Sequence, residues 1–520
     1  MYEPRIYVKM SKIARGENIM KSKIVKIISG ILILCLVFLA ASCGEKSGAG
    51  TKESAEQTAQ NPGGSENAPE DVTGPSRIFS EAPVNDYGGY NLRILSREAE
   101  TADHHWEAKE IVAEEETGDA INDAVYKRNT AISERYNIQM TRVANADPAA
   151  LARKAVTAGS DEYDLIFASI QSTVGIAQNG CLVDLKEAAC IDLSKPWYDQ
   201  NANAGLSIAG KLYTTFCDFT IMDKDATWVY LFNKKLIQDL GLGDPYQLVN
   251  EGKWTIDAMV EMCKGASKDL NGDGIITWED QFGWQGESWN MYTAIVASGI
   301  WPITKNSEDL PEYAGIGEKG ITAFTKLLSL FGDKTLCLRS DDVAGVGGNI
   351  WNDVMDASFM AGRILFTNAG MNRVTLFRSM DIDFGIIPSP KFEESQSGYY
   401  NTISPFQATS LAIPATAGDL EKVGAIADAL CAESKYTLIP AYYDVQLKTK
   451  LARDEQSSEM LDIIFAARRF DLELIYNWGG FSGIFSSAMV KNDANITSAL
   501  EKAEPKIIKA IEKTIEAYTG

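Results

Sequence analysis

The segment YDLIFAS, Tyr163–Ser169, constrains the fold more than any other stretch of the chain. Leu165 to Ala168 are all apolar, without the alternation of a strand that has one wet face. A run this short, apolar on both faces, is what a parallel sheet covered by helices demands. Comparable runs recur at TWVYLFN (Thr227–Asn233), GRILFT (Gly362–Thr367), DFGIIP (Asp383–Pro388) and SLAIP (Ser410–Pro414). YNLRILS (Tyr90–Ser96), after the Gly88-Gly89 turn, and NIQMTRV (Asn137–Val143) read as further strands. Helical patterns lie between. From Asp119, Ile121, Ala124, Val125, Ile132 and Tyr136 recur at helical spacing, and Asp147-Pro148 has N-cap and N1 character for a helix ending at Gly159. Further helices follow Trp254, Thr416 and Thr497; the last has Ser498 and Glu501 at capping-box spacing and a stripe of Ile507, Ile508, Ile511 and Ile515. Strand and helix alternate without an internal repeat, so the class is α/β.

The N-terminus implies export. Lys21, Lys23 and Lys26 precede the apolar run Ile27–Ala41, which is short for a bilayer span and suits a signal-peptide core. Leu39-Ala40-Ala41-Ser42-Cys43 resembles the bacterial lipobox, in which the cysteine becomes the acylated first residue. The small residues before Cys43 favour this over an uncleaved anchor. Met20-Lys21 has the look of a signal-peptide start, so residues 1–19 read as a mis-assigned start and 1–42 as the signal. Residues 43–78 are rich in Gly, Ser, Glu, Gln and Pro and nearly devoid of large apolar side chains, the composition of a disordered tether. The expected location is the extracytoplasmic face of the cell membrane, held by a lipid.

Of 520 residues, 45% are hydrophobic and 23% charged, which leaves room for two or three globular domains. The formal charge is −22; the first 42 residues carry seven Lys or Arg against two acids, so the remainder carries −27. Such a surface repels nucleic acid. Of eight cysteines, Cys35 and Cys43 belong to the export signal. The other six form no CxxC and read as small buried apolar residues, with a bridge between the close pair Cys181 and Cys190 left open. Only two histidines exist, the adjacent His104 and His105. Neighbours cannot supply separate catalytic roles, so Ser-His-Asp, Cys-His and His-zinc chemistry are excluded in practice. HExxH, GxSxG and GxxxxGK[ST] are absent. A carboxylate-only glycosidase survives this exclusion, because it needs just two acids.

DLNGDGIITWED, Asp269–Asp280, has the spacing of a calcium loop. Asp269, Asn271 and Asp273 alternate, Gly274 permits the turn, the Ile275 carbonyl and the Asp280 carboxylate complete the ligand set, and Ile276 follows at the eighth position. One copy, entered from a helix and left toward QFGW, matches neither a paired sensor nor a repeated docking module. A single structural Ca²⁺ clip is the expectation; a cation-free Asx/Gly turn is the alternative.

The order of ETGDAINDAVYKRN, YDLIFAS, GCLVDLKE, GKLYTTFCDFTIMDKDATWVYLFNKKL, GKWTIDAMVEMCKGASKDLNGDG, AGRILFTNAG and DFGIIPSPKF resembles the family 1 extracellular solute-binding proteins of bacterial ABC importers over about residues 87–520. The resemblance implies a type II periplasmic-binding-protein-like fold, two α/β lobes joined by several chain crossings. It places the first lobe at 85–220 plus 385–413 and the second at 221–384 plus 414–520. It implies a monomer that meets ABC permease subunits, is anchored through Cys43, and closes over a small-molecule carbohydrate without catalysis. Ligand contacts are then expected from Trp106; from Ser169, Gln171 and Ser172; from Asp223, Asp225 and Trp228; from Trp284, Gln285 and Trp289; from Asn368 and Met371; and from Trp478. Aromatic rings beside amides and carboxylates suit a sugar's C–H faces and hydroxyls. No Arg or Lys cluster stands among these positions, which favours a neutral or cationic ligand. Two other readings stand beside this one, a secreted carboxylate-based carbohydrate enzyme and a lipoprotein that presents ligand to a sensor kinase.

Overall fold

The computed structural model describes residues 77–98, 107–448 and 455–520. The signal segment, Cys43, most of the tether, His104, His105 and Trp106 lie outside them. Pro75–Gly520 forms one compact unit.

Two sheets carry the architecture. In the first, β1 (Tyr90–Arg97) lies between the parallel strands β2 (Ile138–Asn145) and β3 (Leu165–Ser169), and β12 (Thr409–Ala412) adds antiparallel to β3. Leu165 to Ala168 are buried, as the all-apolar run demands. In the second, β4 (Trp228–Asn233) pairs antiparallel with β9 (Ile364–Gly370) and β10 (Phe384–Ile387), while β5 (Phe282–Gly286) runs parallel to β9 and to β8 (Cys337–Arg339). A hairpin, β6 (Ile303–Lys305) with β7 (Pro311–Tyr313), and a short pair, β11 (Asn401–Thr402) with β13 (Arg468–Arg469), complete the strands among the described residues.

The helices form where the chain supplies caps. Asp119 accepts from the Ile121 and Asn122 amides to start Ala120–Tyr136, and Asp147 accepts from Ala150 to start Pro148–Thr157 with proline at its first turn. The final helix, Thr497–Thr519, departs from expectation: its N-cap is Ile496, with no side-chain cap, so Ser498 and Glu501 form no capping box. Its buried face is Leu500, Ile507, Ile511, Thr514 and Tyr518, and Ile508 points outward.

Packing assigns segments to halves. Leu92, Ile94 and Phe167 of the first sheet share a core with Val423, Ile426 and Leu430 of the helix Leu420–Tyr436. Each such side chain contributes about 1.5–3 kcal/mol when fully buried. That helix therefore belongs with the first sheet, not with the second lobe as expected. Leu438 and Tyr442 of the following helix, Leu438–Lys448, pack on Val125 of the first half. The chain thus stays with the first half as far as Tyr442 and does not leave it near Ile413. Met460 and Leu461 of the helix Glu455–Ala466, which packs on β10, enter the core of the second sheet, whereas Phe470 and Ile475 beyond it pack with Ile170, Val174 and Leu206 of the first half. Gly385–Ile387, expected in the first lobe, pair with β4 in the second sheet, and the return passage is 388–408. The hydrogen-bonding edges decide this, and apolar runs do not reveal which edge they take. The six body cysteines are free, five of them buried, and Cys181 and Cys190 are not bridged.

Candidate functional site

The passages between the sheets converge on a cleft of about 470 Å³. Its floor is the second sheet. Trp228 opens β4 in register with Gly370 at the end of β9, and Gln285 on β5 pairs with Thr367. A Cβ on Gly370 would stand 2.8 Å from Asn372 Oδ1 and 3.1 Å from the Asp225 carbonyl, so a side chain here would crowd the first crossing. The roof comes from the return passage. The Ser404 amide donates to the Ala226 carbonyl at 2.8 Å, the Gln171 amide to the Pro405 carbonyl at 3.2 Å, and Arg97 to the Phe406 carbonyl.

An aromatic cluster spans the opening. Trp289 meets Trp228 edge-on at 4.8 Å and Phe406 edge-on at 6.3 Å between ring centroids. Phe406 is 47% exposed, an unusual degree for a large apolar ring. Uncharged polar groups surround it. Gln285 donates through Nε2 to Thr367 Oγ1 (3.0 Å) and to the Met355 carbonyl (3.1 Å), and Asn368 Nδ2 donates to the Val229 carbonyl at 3.4 Å. Their oxygens, Gln285 Oε1 and Asn368 Oδ1, and the Trp228 Nε1–H are buried without a hydrogen-bond partner. Such orphan atoms are costly unless a ligand or water satisfies them.

Three charged side chains also line the cleft: Glu287, Asp356 and Arg373. Arg373 Nη1 lies 3.1 Å from Asp356 Oδ2, and its guanidinium sits 5.7 Å from the Trp351 ring centre. Burial pushes the Glu287 carboxyl up to about 7, against the opposing pull of Trp289 and Arg373 and with help from Asp341.

A profile described as bacterial extracellular solute-binding protein matches residues 128–437, more than half of the chain. The chain belongs to this family. The fold agrees. An ABC substrate-binding protein from Listeria monocytogenes, in complex with cycloalternan, superposes with a TM-score of 0.53 at 14% identity, covering 82% of this chain and 99% of its own. A cyclic alpha-maltosyl-1,6-maltose binding protein from Arthrobacter globiformis gives 0.53 at 14%, covering 82% and 100%. The apo form of RafE from Streptococcus pneumoniae gives 0.52 at 13%, covering 82% and 98%. No curated protein matches by sequence. The shared fold is the type II arrangement of two α/β lobes, and the family is extracellular by description.

In this solute-binding protein, Gln171, Trp228, Gln285, Trp289 and Asn368 line the cleft. The other expected contacts among the described residues lie elsewhere. Trp284 is fully buried in the second core, stacked on Phe331 at 4.1 Å and 26°. Successive strand residues point to opposite faces, so Gln285 at the cleft sends Trp284 away from it. Trp478 stacks on Tyr476 at 4.7 Å and donates Nε1–H to Thr514 Oγ1 at 2.8 Å, beside a separate depression. Met371 is a core residue with no exposure. Ser169 caps the helix Ile170–Ala177, accepting from the Ser172 amide and donating to Ser172 Oγ at 2.9 Å, and neither serine reaches the cleft.

The two crossing aspartates are structural. Asp223 is 1% exposed and ion-paired with Arg468 at 2.6 Å and Lys224 at 3.5 Å. Burial opposes its charge, but Lys224 and Arg468 hold it below the usual carboxylate range. Arg468 also pairs with Asp199, so one guanidinium ties the crossing to the first half. Asp225 accepts from the Tyr442 hydroxyl at 2.9 Å and faces a second cavity, and burial pushes it up to about 7.

In the calcium-like loop, Asp269 accepts from the Gly272 and Gly274 amides, each at 2.7 Å, and Asp280 from the Leu270 (2.9 Å) and Thr277 (2.8 Å) amides. Asp273 accepts from the Ile275 amide at 2.7 Å, and Asn271 from the Asp273 amide at 2.9 Å. Gly272 and Gly274 take the positive φ that the turn needs. The acids thus serve the loop's own backbone, and among the described residues no three His, Cys, Asp or Glu side chains group as a metal site.

Sequence reasoning missed Glu287, Trp351, Asp356, Arg373 and Phe406. Trp351 and Asp356 sit on a wide helical turn, Trp351–Asp356, and Phe406 in a passage without regular structure. Composition marks neither. Glu287 was within reach, since it follows directly on the end of β5, two residues after Gln285.

Proposed function

We propose that this protein is the carbohydrate receptor of an ABC importer, binding an oligosaccharide between its lobes without transforming it. One observation carries the reading: the Trp228–Trp289–Phe406 cluster stands beside buried amide oxygens and an indole N–H that lack partners. Aromatic faces accept the C–H surface of a pyranose, and its hydroxyls donate to Gln285 and Asn368 and accept from Trp228. The similar structures include an ABC substrate-binding protein from Listeria monocytogenes in complex with cycloalternan and a cyclic alpha-maltosyl-1,6-maltose binding protein from Arthrobacter globiformis, which supports the ligand class. The single cleft arginine is matched by Asp356, which disfavours an anionic sugar.

The receptor works by closure. Ligand that touches both Phe406 on the return passage and Trp289 on the second lobe binds the closed arrangement more tightly and shifts the population toward it. The mature chain is anchored through acylated Cys43 and hands its cargo to membrane-spanning permease subunits; no described helix is itself long and apolar enough to cross a membrane. A thermal-shift screen over neutral oligosaccharides, followed by chromatography of the bound glycan, tests the reading. A saturable shift with the glycan recovered intact is expected. Cleavage would convert the assignment to a carboxylate enzyme, with Glu287 near neutrality as its acid.

A further inference from the structure

A second crevice, about 490 Å³, lies away from the cleft. Its walls are the helix Gln200–Leu206 of the first half, the start of the β6–β7 hairpin in the second, and residues 466–472 between them. A Cβ on Gly205 would stand 3.1 Å from the Phe470 carbonyl, so the helix and this last segment approach closely.

The chemistry of the lining is opposite to that of the molecule. In a chain of net charge −22, this crevice has no Asp or Glu among its lining residues and has Lys305, Arg468 and Arg469. Two of these cations are already matched. Lys305 donates to Asp309 Oδ1 at 2.9 Å and to the Ala204 carbonyl at 2.7 Å, and Arg468 is held by Asp199 and Asp223. Arg469 is not matched. Its guanidinium lies 4.1 Å from the Trp301 ring centre, and Tyr400 meets Trp301 edge-on at 5.3 Å. It makes no hydrogen bond or ion pair with the described protein, and its Nε–H and the Trp301 Nε1–H are buried without partners. Asp471, the acid next along the chain, takes the Tyr292 hydroxyl and the Leu474 amide, and burial raises its pKa against the pull of those bonds and of the Arg469 charge, which reaches it without a direct bond.

We propose that this crevice binds a small organic carboxylate, which pairs with the Arg469 fork and packs its apolar body against Trp301 and Tyr400. A planar guanidinium stacked on an indole is pre-organised for two parallel N–H···O bonds to a carboxylate. A single guanidinium with no directly bonded acid suits a monoanion better than a phosphate dianion. The site is independent of the sugar cleft and of the reading given to it.

The experiment compares benzoate with its neutral analogue benzamide, and with acetate and phosphate, at constant ionic strength, reading melting temperature and tryptophan fluorescence of the purified protein. Benzoate is expected to give a saturable rise that benzamide does not, larger than that from phosphate. The rise should vanish in Arg469→Gln, weaken in Arg469→Lys, which keeps charge but loses the fork, and persist in Arg373→Gln, which alters only the cleft. If Arg469→Gln fails to fold, the benzoate–benzamide contrast in the parent and its weakening in Arg469→Lys decide the question. Equal responses to benzoate and benzamide, an unchanged response in the Arg469 variants, preference for phosphate, or no response to any anion would each overturn the proposal.

Discussion

Replacing Trp284 and Trp289 by alanine, five positions apart, should produce opposite phenotypes. Trp284 has no exposure, and its ring stacks on Phe331 at 4.1 Å. Packing around it is tight enough that a Cβ on Gly286 would fall 2.5 Å from its ring. Truncation leaves a cavity that these rigid neighbours cannot fill, at a cost of about 3–5 kcal/mol of folding stability. Trp289 is only partly buried and packs edge-on against two cleft rings. Its truncation removes little core and an aromatic anchor, so the loss falls on binding, about 1–3 kcal/mol, or roughly five- to 150-fold in Kd.

Urea denaturation gives the first quantity, and calorimetric titration with the glycan that shifts melting most gives the second. Trp284→Ala should lower the denaturation midpoint strongly while the folded fraction keeps parental affinity; Trp289→Ala should do the reverse. Undiminished binding by Trp289→Ala would remove the aromatic cluster from the site. Lost affinity in a Trp284→Ala protein of parental stability would refute the assignment of strand faces.

Three further outcomes follow from the same geometry. Cys43→Ala should move the mature protein from the detergent phase to the aqueous phase; identical partitioning of parent and variant would exclude the lipid anchor. At the Asp269–Asp280 loop, a saturable rise in melting on adding Ca²⁺ to stripped protein, about 2.7 kcal/mol at 100 times Kd, would establish the calcium clip that the spacing implies, and no response to EDTA or Ca²⁺ would leave a turn closed by its own amide-to-carboxylate bonds. Asp225, whose carboxyl is pushed up to about 7 from an unfolded value near 3.9, holds its proton more tightly in the native state, so its contribution is present below about pH 4 and is lost as pH rises toward 7. Asp225→Asn should therefore flatten the fall of stability between about pH 4 and 7 in urea titrations, and a parallel pH profile in parent and variant would show that Asp225 ionises freely.

How much of this was legible in the chain depends on whether a feature is local. Tyr163–Ser169, Thr227–Asn233 and Gly362–Thr367 announce buried strands through their own residues, and the strands form there because covering both faces leaves no place for a polar side chain. Asp119 and Asp147 announce helices because a cap acts within three residues. Pairing is not local. Nothing in DFGIIP tells which sheet edge it will take, and nothing in Leu420–Tyr436 tells which core its apolar face will enter, so the expected lobe boundaries fail at those two segments.

The site divides by the same rule. Gln285 and Trp289 are found from their place after the second-lobe helix, but naming Trp284 with them ignores a constraint the sequence does contain, that residues 284 and 285 of one strand cannot face the same side. Asp223 fails for a different reason. An acid at a crossing looks like a ligand contact until its partner is known, and that partner, Arg468, is 245 residues away. Two carboxylates, Asp199 and Asp223, then share one guanidinium at the passage between the halves, with Lys224 alongside. Breaking a buried pair of this kind costs about 3–5 kcal/mol because the charge left behind has no solvent. The acids of the crossing thus tie distant segments together instead of lining the cleft, and on the proposed reading recognition falls to the amides and rings that do line it.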